Sequence, residues 1–194
     1  MISDVLEAPA LNPIFRFHFR LVDPADAALI CTLRSDPSLN RHLSSSSPDV
    51  EAQRRWIESY KEREAEGREF YFVIVADGAD QGVVRMYDFR EIDGRKSFCW
   101  GSWIIKPPRP PGLVTFSAIC IYELGFNTLG FEQSHFDVRR ENTAVTGFHH
   151  RAGAKKTGED ELNLYFEFPS SHFSGLLAAS MEQIKAGRSL SSSH

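Results

Sequence analysis

The sequence predicts an α/β (α+β) domain, a mixed sheet covered by helices. Three observations carry this. Hairpins come first and strand–helix alternation follows, which implies one sheet with helical cover. Apolar periodicity switches between two and 3.6 residues along the chain. The length of 194 residues fits one domain with some decoration, and it suffices to bury a substantial core.

Residues 1–14 read as an irregular lead-in, with Pro9 and Pro13 among small residues. Phe15 to Val22 alternates apolar and polar residues, as a half-buried strand does. Asp23-Pro24 supplies a cap and a first-turn proline for a helix to Arg34, which Asp36-Pro37 ends. Ser44 to Pro48 is a polar loop, and Ser47 or Asp49 caps a charged helix from Val50 to Glu66. On that helix Trp56 and Tyr60 share a face at i, i+4, and Gly67 stops it.

Three strands follow: Glu69 to Ala76, Gly82 to Ile92, and Arg95 to Ile105. Asp77-Gly78-Ala79-Asp80 and Asp93-Gly94 turn the chain between them. A proline cluster ends the third, because proline cannot donate to a ladder. Gly112 opens a long helix to about Gly130, apolar nearly all round and therefore buried. A strand at Glu132–Val138, a helix at Glu141–Ala152 closed by Gly153, and an alternating strand at Glu161–Phe168 complete the order. Ser170 to Lys185 reads as an extra helix with an apolar stripe (Phe173, Leu176, Leu177, Met181, Ile184), and the Ser-rich tail as disordered. The domain limits so read are 15–168, with 169–194 as an appendage.

Composition mainly excludes. The net charge of −4 argues against nucleic-acid binding through a global positive field. No apolar run nears the roughly 18 residues of a membrane span, and no secretory signal is visible. The three cysteines (Cys31, Cys99, Cys120) lack CxxC spacing, so neither a disulfide scaffold nor a metal site is expected. The expectation is a soluble, cytoplasmic protein. Two features stand out: 15 phenylalanines, and four prolines (Pro107, Pro108, Pro110, Pro111) within five positions.

The proline cluster sits where a strand runs into a helix, in Trp100-Gly-Ser-Trp-Ile-Ile-Lys-Pro-Pro-Arg109-Pro-Pro-Gly112-Leu-Val114. Helix N-termini present N–H groups and the positive dipole end, and so bind phosphates. Gly112 allows close approach to the backbone and Arg109 adds charge. The plainer alternative is a loop that only stops a strand.

The order of elements and this segment resemble the GNAT superfamily, the acyl-CoA-dependent N-acetyltransferases. That fold is a mostly antiparallel central sheet of about six to seven strands flanked by helices. The family holds the CoA pyrophosphate with a Q/R-x-x-G-x-G/A loop, which Arg109-Pro-Pro-Gly112-Leu-Val114 resembles, with Val114 at the usual small position. Glu141 to Ala154 resembles the family's Asn-containing helix, with Asn142 and Gly153 in place and His149 where a tyrosine often protonates the departing thiolate. Ser97 to Ile104 resembles the fourth strand of the branch that acetylates ribosomal-protein N-termini and nucleotide-linked amino sugars. Cys99 stands where that branch often has a glutamate base, and Gly101 is expected to mark a bulge that splays the strands for pantetheine.

The resemblance implies transfer of an acetyl group from acetyl-CoA to a primary amine of a small molecule, with a nucleotide-linked amino sugar as one acceptor class. It implies Arg109, Gly112, Leu113, Val114 and Asn142 as cofactor contacts, backbone donors at Trp103, Ile104 and Ile105, and His149 as proton donor. The base is open among Asp88, Glu91, Asp137 and solvent. Protein N-terminal acetylation and a non-catalytic acyl-CoA-binding domain are the alternatives; a hydrolase built on Cys99 lacks any further mark. No nucleic acid, membrane or metal is implied, and a homodimer is one state the resemblance allows.

Overall fold

A computed structural model describes residues 17–39 and 49–181. The expected lead-in, the expected loop at Ser44–Pro48 and the Ser-rich tail lie outside them. Seven strands form one sheet: β1 (Phe17–Leu21), β2 (Phe70–Ala76), β3 (Ala79–Ile92), β4 (Arg95–Ile105), β5 (Gln133–Arg139), β6 (Lys155–Glu159) and β7 (Asn163–Pro169). The helices are α1 (Ala27–Ser35), α2 (Val50–Ala65), α3 (Leu113–Glu123), α4 (Thr143–Ala152) and α5, residues 173–181. The sheet order is β1-β2-β3-β4-β5-β7-β6, and β4 and β5 run parallel.

The chain divides into two compact units, one of residues 17–89 and 100–108 and the other of 90–99 and 109–181, as far as the described residues go. In the first, Asp23 caps a 3-10 turn at Pro24–Asp26 before α1 begins, so the helix starts later than its sequence signal. Arg20 explains why the turn is fixed. It donates to both Asp26 oxygens at 2.8 Å and to Asp80 at 2.9 Å, while Asp26 accepts from the Asp23 amide. Asp49 caps α2. Trp56 and Tyr60 stack on its inner face at 5.8 Å, and Tyr60 accepts the Tyr71 amide. Ile30, Leu33, Ile57, Tyr60, Tyr71, Val73 and Val83 make the core of this unit. Strand pairs are closed by Asp77-Gly78 and Asp93-Gly94. Both residues of each pair have positive φ, the type I′ geometry that matches strand twist.

The second unit explains most of the phenylalanines. Phe98, Tyr122, Phe126, Phe131, Phe168 and Phe173 pack ring against ring. α3 ends at Glu123, short of the expected Gly130, because the chain widens into a π-helical turn at Leu124–Thr128. A side chain at Gly125 would lie 2.4 Å from the Phe98 ring, so the bare backbone makes room for that ring. β5 pairs with β4 through two residue pairs, Ser97 with Gln133 and Phe98 with Ser134, and along its full length with β7. β6, all polar or glycine, gives no sequence signal; its ladder to β7 makes it a strand. After Pro169 a 3-10 turn at Ser170–His172 precedes α5.

Candidate active site

In the second unit the loop after Pro108 enters α3 through Gly112, whose φ of 82° is left-handed and suits glycine alone at low cost. The Gly112 carbonyl accepts the Phe116 amide at 2.8 Å, starting the helix. The Leu113 amide donates to the Pro110 carbonyl at 3.1 Å, and its side chain is fully buried. Leu113 therefore departs from its expected part as a cofactor donor: its N–H closes the turn and its side chain anchors the helix. The first-turn amides of Val114 and Thr115 have no helical acceptor by geometry, and they carry the positive end of α3. Val114 and Arg109 are exposed there.

The strand end that precedes this loop belongs to the first unit. Ile104 and Ile105 are buried, and Trp103 meets Trp100 edge to face at 5.2 Å. The left-handed backbone falls at Ser102, φ 49°, one residue beyond the expected Gly101. A side chain at Gly101 would sit 3.2 Å from the Tyr87 hydroxyl, a tight contact with the tip of that side chain. Gly82 lies under the Ile104 carbonyl, where a Cβ would come to 2.1 Å. Buried Gln81 then clamps the start of the loop. Its Nε2 donates to the Lys106 and Pro108 carbonyls, both at 2.7 Å, and its carbonyl accepts the Lys106 amide. The Pro107–Pro108 bond is cis. Nothing in the sequence around Gln81 announces this contact, which spans 25 positions.

Asn142 caps α4, its Oδ1 accepting from the Val145 amide at 3.3 Å, and Gly153 closes that helix at φ 91°. His149 lies on the inner face of α4, 3% exposed, with its ring 4.1 Å from Phe136 and 6.4 Å from Phe166. Burial, with a smaller push from His150, lowers its pKa to about 3. The imidazole is therefore neutral near pH 7. That state does not suit the proton-donor part which the resemblance gives residue 149. His150 meets Phe166 edge to face.

Cys99 is buried, and Asp88, Glu91 and Asp137 are exposed strand residues. A second buried histidine escaped the sequence reading. His135 on β5 holds Ser97 on β4, Nδ1 to Oγ, at 2.7 Å. Both are buried; Ser97 makes the first rung of the two-pair parallel ladder, and His135 lies one residue past its last. Among the described residues no group of three or more His, Cys, Asp or Glu is placed to hold a metal, and no helix is long and apolar enough to cross a membrane.

A family model described as an acetyltransferase (GNAT) domain matches residues 16–155, and the chain belongs to that family. It is an acetyltransferase. Among solved structures it is similar to FdhC, described as a nucleotide-linked sugar GNAT in its apo form. The identity is 45%, with 82% of this chain and 90% of that chain covered and a TM-score of 0.75. Mycobacterium smegmatis RimJ, solved with CoA-disulfide, shares the fold at 18% identity, covering 86% and 90% with a TM-score of 0.69. The ribosomal-protein-S5-alanine acetyltransferase of Vibrio fischeri does so at 14%, covering 80% and 93%, with a TM-score of 0.68. No curated protein sequence matches the chain.

Proposed function

We propose that this acetyltransferase moves an acetyl group from acetyl-CoA to the primary amine of a nucleotide-linked amino sugar. The observation that carries the acceptor class is the 45% identity to a nucleotide-linked sugar GNAT over nine-tenths of that chain. The ribosomal-protein-S5-alanine acetyltransferase and RimJ lie under 20% identity and speak for the fold alone. The cytoplasm is the compartment assigned to this reaction.

The donor's pyrophosphate is assigned to the N-terminus of α3, with amides from Gly112, Val114 and Thr115 and the guanidinium of Arg109. Two prolines at 110 and 111 supply no N–H, and the Leu113 amide is engaged. The helix end and one arginine therefore carry the grip, and binding is sensitive to Arg109. Trp103, Ile104 and Ile105 contribute backbone groups to the acyl arm, and Asn142 acts by fixing the start of α4. When bound, acetyl-CoA supplies a thioester whose carbonyl carbon the amine attacks.

The proton account follows from His149 being neutral. The tetrahedral adduct carries its own ammonium proton, more acidic than a thiol once the nitrogen is bonded to that carbon. The departing thiolate takes this proton, so residue 149 is assigned a packing part.

The test is release of free thiol from acetyl-CoA with a panel of acceptors. A thymidine- or uridine-diphosphate-linked amino sugar is expected to give turnover, and a ribosomal-protein N-terminal peptide and spermidine are expected to give little. Turnover confined to the peptide overturns the acceptor assignment. The lack of thermal stabilisation by millimolar acetyl-CoA overturns the donor assignment.

A further inference from the structure

An alkylammonium has no lone pair, so it must lose a proton before it attacks a thioester. The position where the resemblance expects a carboxylate holds Cys99, a buried thiol. Asp88, Glu91 and Asp137 are exposed strand residues. We infer that His135 takes the first proton of the acceptor amine at Nε2, with the Ser97 hydroxyl holding Nδ1 in place. The inference rests on the proposed amine acceptor.

Three observations support it. The first is a hydrogen-bonded ring: buried His135 has a hydroxyl 2.7 Å from Nδ1. In the tautomer that donates Nδ1–H to Ser97, the basic lone pair is on Nε2. A second group that fixes the first is the arrangement by which histidine bases are oriented.

The second is position. Successive strand residues alternate between faces, so Cys99 shares the face of Ser97. Ser97 shares its face with His135, because the two side chains bond. The imidazole thus stands on the face, and next to the strand position, where the resemblance puts a base. His135 lies one residue past the last rung of the two-pair β4–β5 ladder.

The third is the neighbouring strand. Glu167 on β7 lies directly opposite His135 in register, on the same face. Lys155 on β6 is in turn opposite Glu167. Ser97 and Cys99 from β4 share that face.

The step balances as follows. R–NH3+ gives one proton to Nε2, and the nitrogen lone pair forms the C–N bond. The C–S bond breaks, and the thiolate takes the second nitrogen proton. The imidazolium returns its proton to solvent. The products are amide, free thiol and one solvent proton.

The experiment is steady-state thiol release by the full chain, with the nucleotide-linked amino sugar that wild type turns over. His135→Gln is expected to lower kcat about 100-fold near pH 7 and leave KM for acetyl-CoA unchanged. The deficit is expected to shrink to about tenfold or less near pH 9.5, where the free amine is abundant. Ser97→Ala, a smaller change, is expected to shift the acid limb of the kcat/KM profile with the same KM for acetyl-CoA. If His135→Gln does not fold, the Ser97→Ala profile decides alone. Unchanged rates and pH profiles in an active enzyme overturn the assignment to His135. A wild type inactive with every amine overturns the functional reading itself, and the base assignment with it.

Discussion

Replacing His149 by phenylalanine tests the depth of its burial through the pH dependence of stability. The folded imidazole has a pKa of about 3, against 6.5 for an ordinary histidine. Between those values the unfolded chain binds a proton that the folded chain refuses. Stability is therefore intact above 6.5 and falls as pH drops toward 3. At about pH 5 the imbalance is worth about 2 kcal/mol, and at about pH 4 about 3 kcal/mol. Phenylalanine has no such proton and keeps the contacts with Phe136 and Phe166. Urea titrations of both proteins at about pH 7.5 and 5 check the difference. Wild type should lose about 2 kcal/mol more than His149→Phe on acidification. Equal losses, or an NMR titration of His149 near 6.5, would show the imidazole to be in contact with water.

Four further outcomes follow from the geometry. Arg109→Ala should raise KM for acetyl-CoA about tenfold, equivalent to about 1.4 kcal/mol, with kcat nearly unchanged, because few other donors serve that helix end. Phe98→Ala should cost about 3–5 kcal/mol of stability by denaturant titration. Gly125→Ala should be costly in wild type, where its Cβ would lie 2.4 Å from the Phe98 ring, and nearly neutral in the Phe98→Ala background; additive effects would refute that contact. Gln81→Leu leaves the Lys106 and Pro108 carbonyls without their shared donor and should cost about 2 kcal/mol, read by the same titration.

Much of the fold was legible because its signals are local. The Asp23-Pro24 cap, the Asp-Gly turns and the left-handed Gly112 and Gly153 are each written within a few residues. The elements misjudged owe their state to distant partners. β6 is Lys-Lys-Thr-Gly-Glu and becomes a strand only through its ladder to β7. α3 gives way to a π-helical turn in which bare Gly125 lies against Phe98, 27 positions earlier. The candidate site divides the same way. Arg109 and Gly112 were readable from their place at a strand–helix junction. The loss of the Leu113 donor to Pro110, the Gln81 clamp and the Ser97–His135 bond arise from contacts that no spacing rule encodes.

The identity of the acceptor is the centre of the account, and a competition measures it. Acetyl-CoA, a nucleotide-linked amino sugar and a ribosomal-protein N-terminal peptide are incubated together with the enzyme, and each product is followed by mass spectrometry. The account predicts that the mass gain of one acetyl group appears on the amino sugar, with a kcat/KM at least 100-fold above that for the peptide. Acetylation of the peptide with the sugar untouched would contradict it.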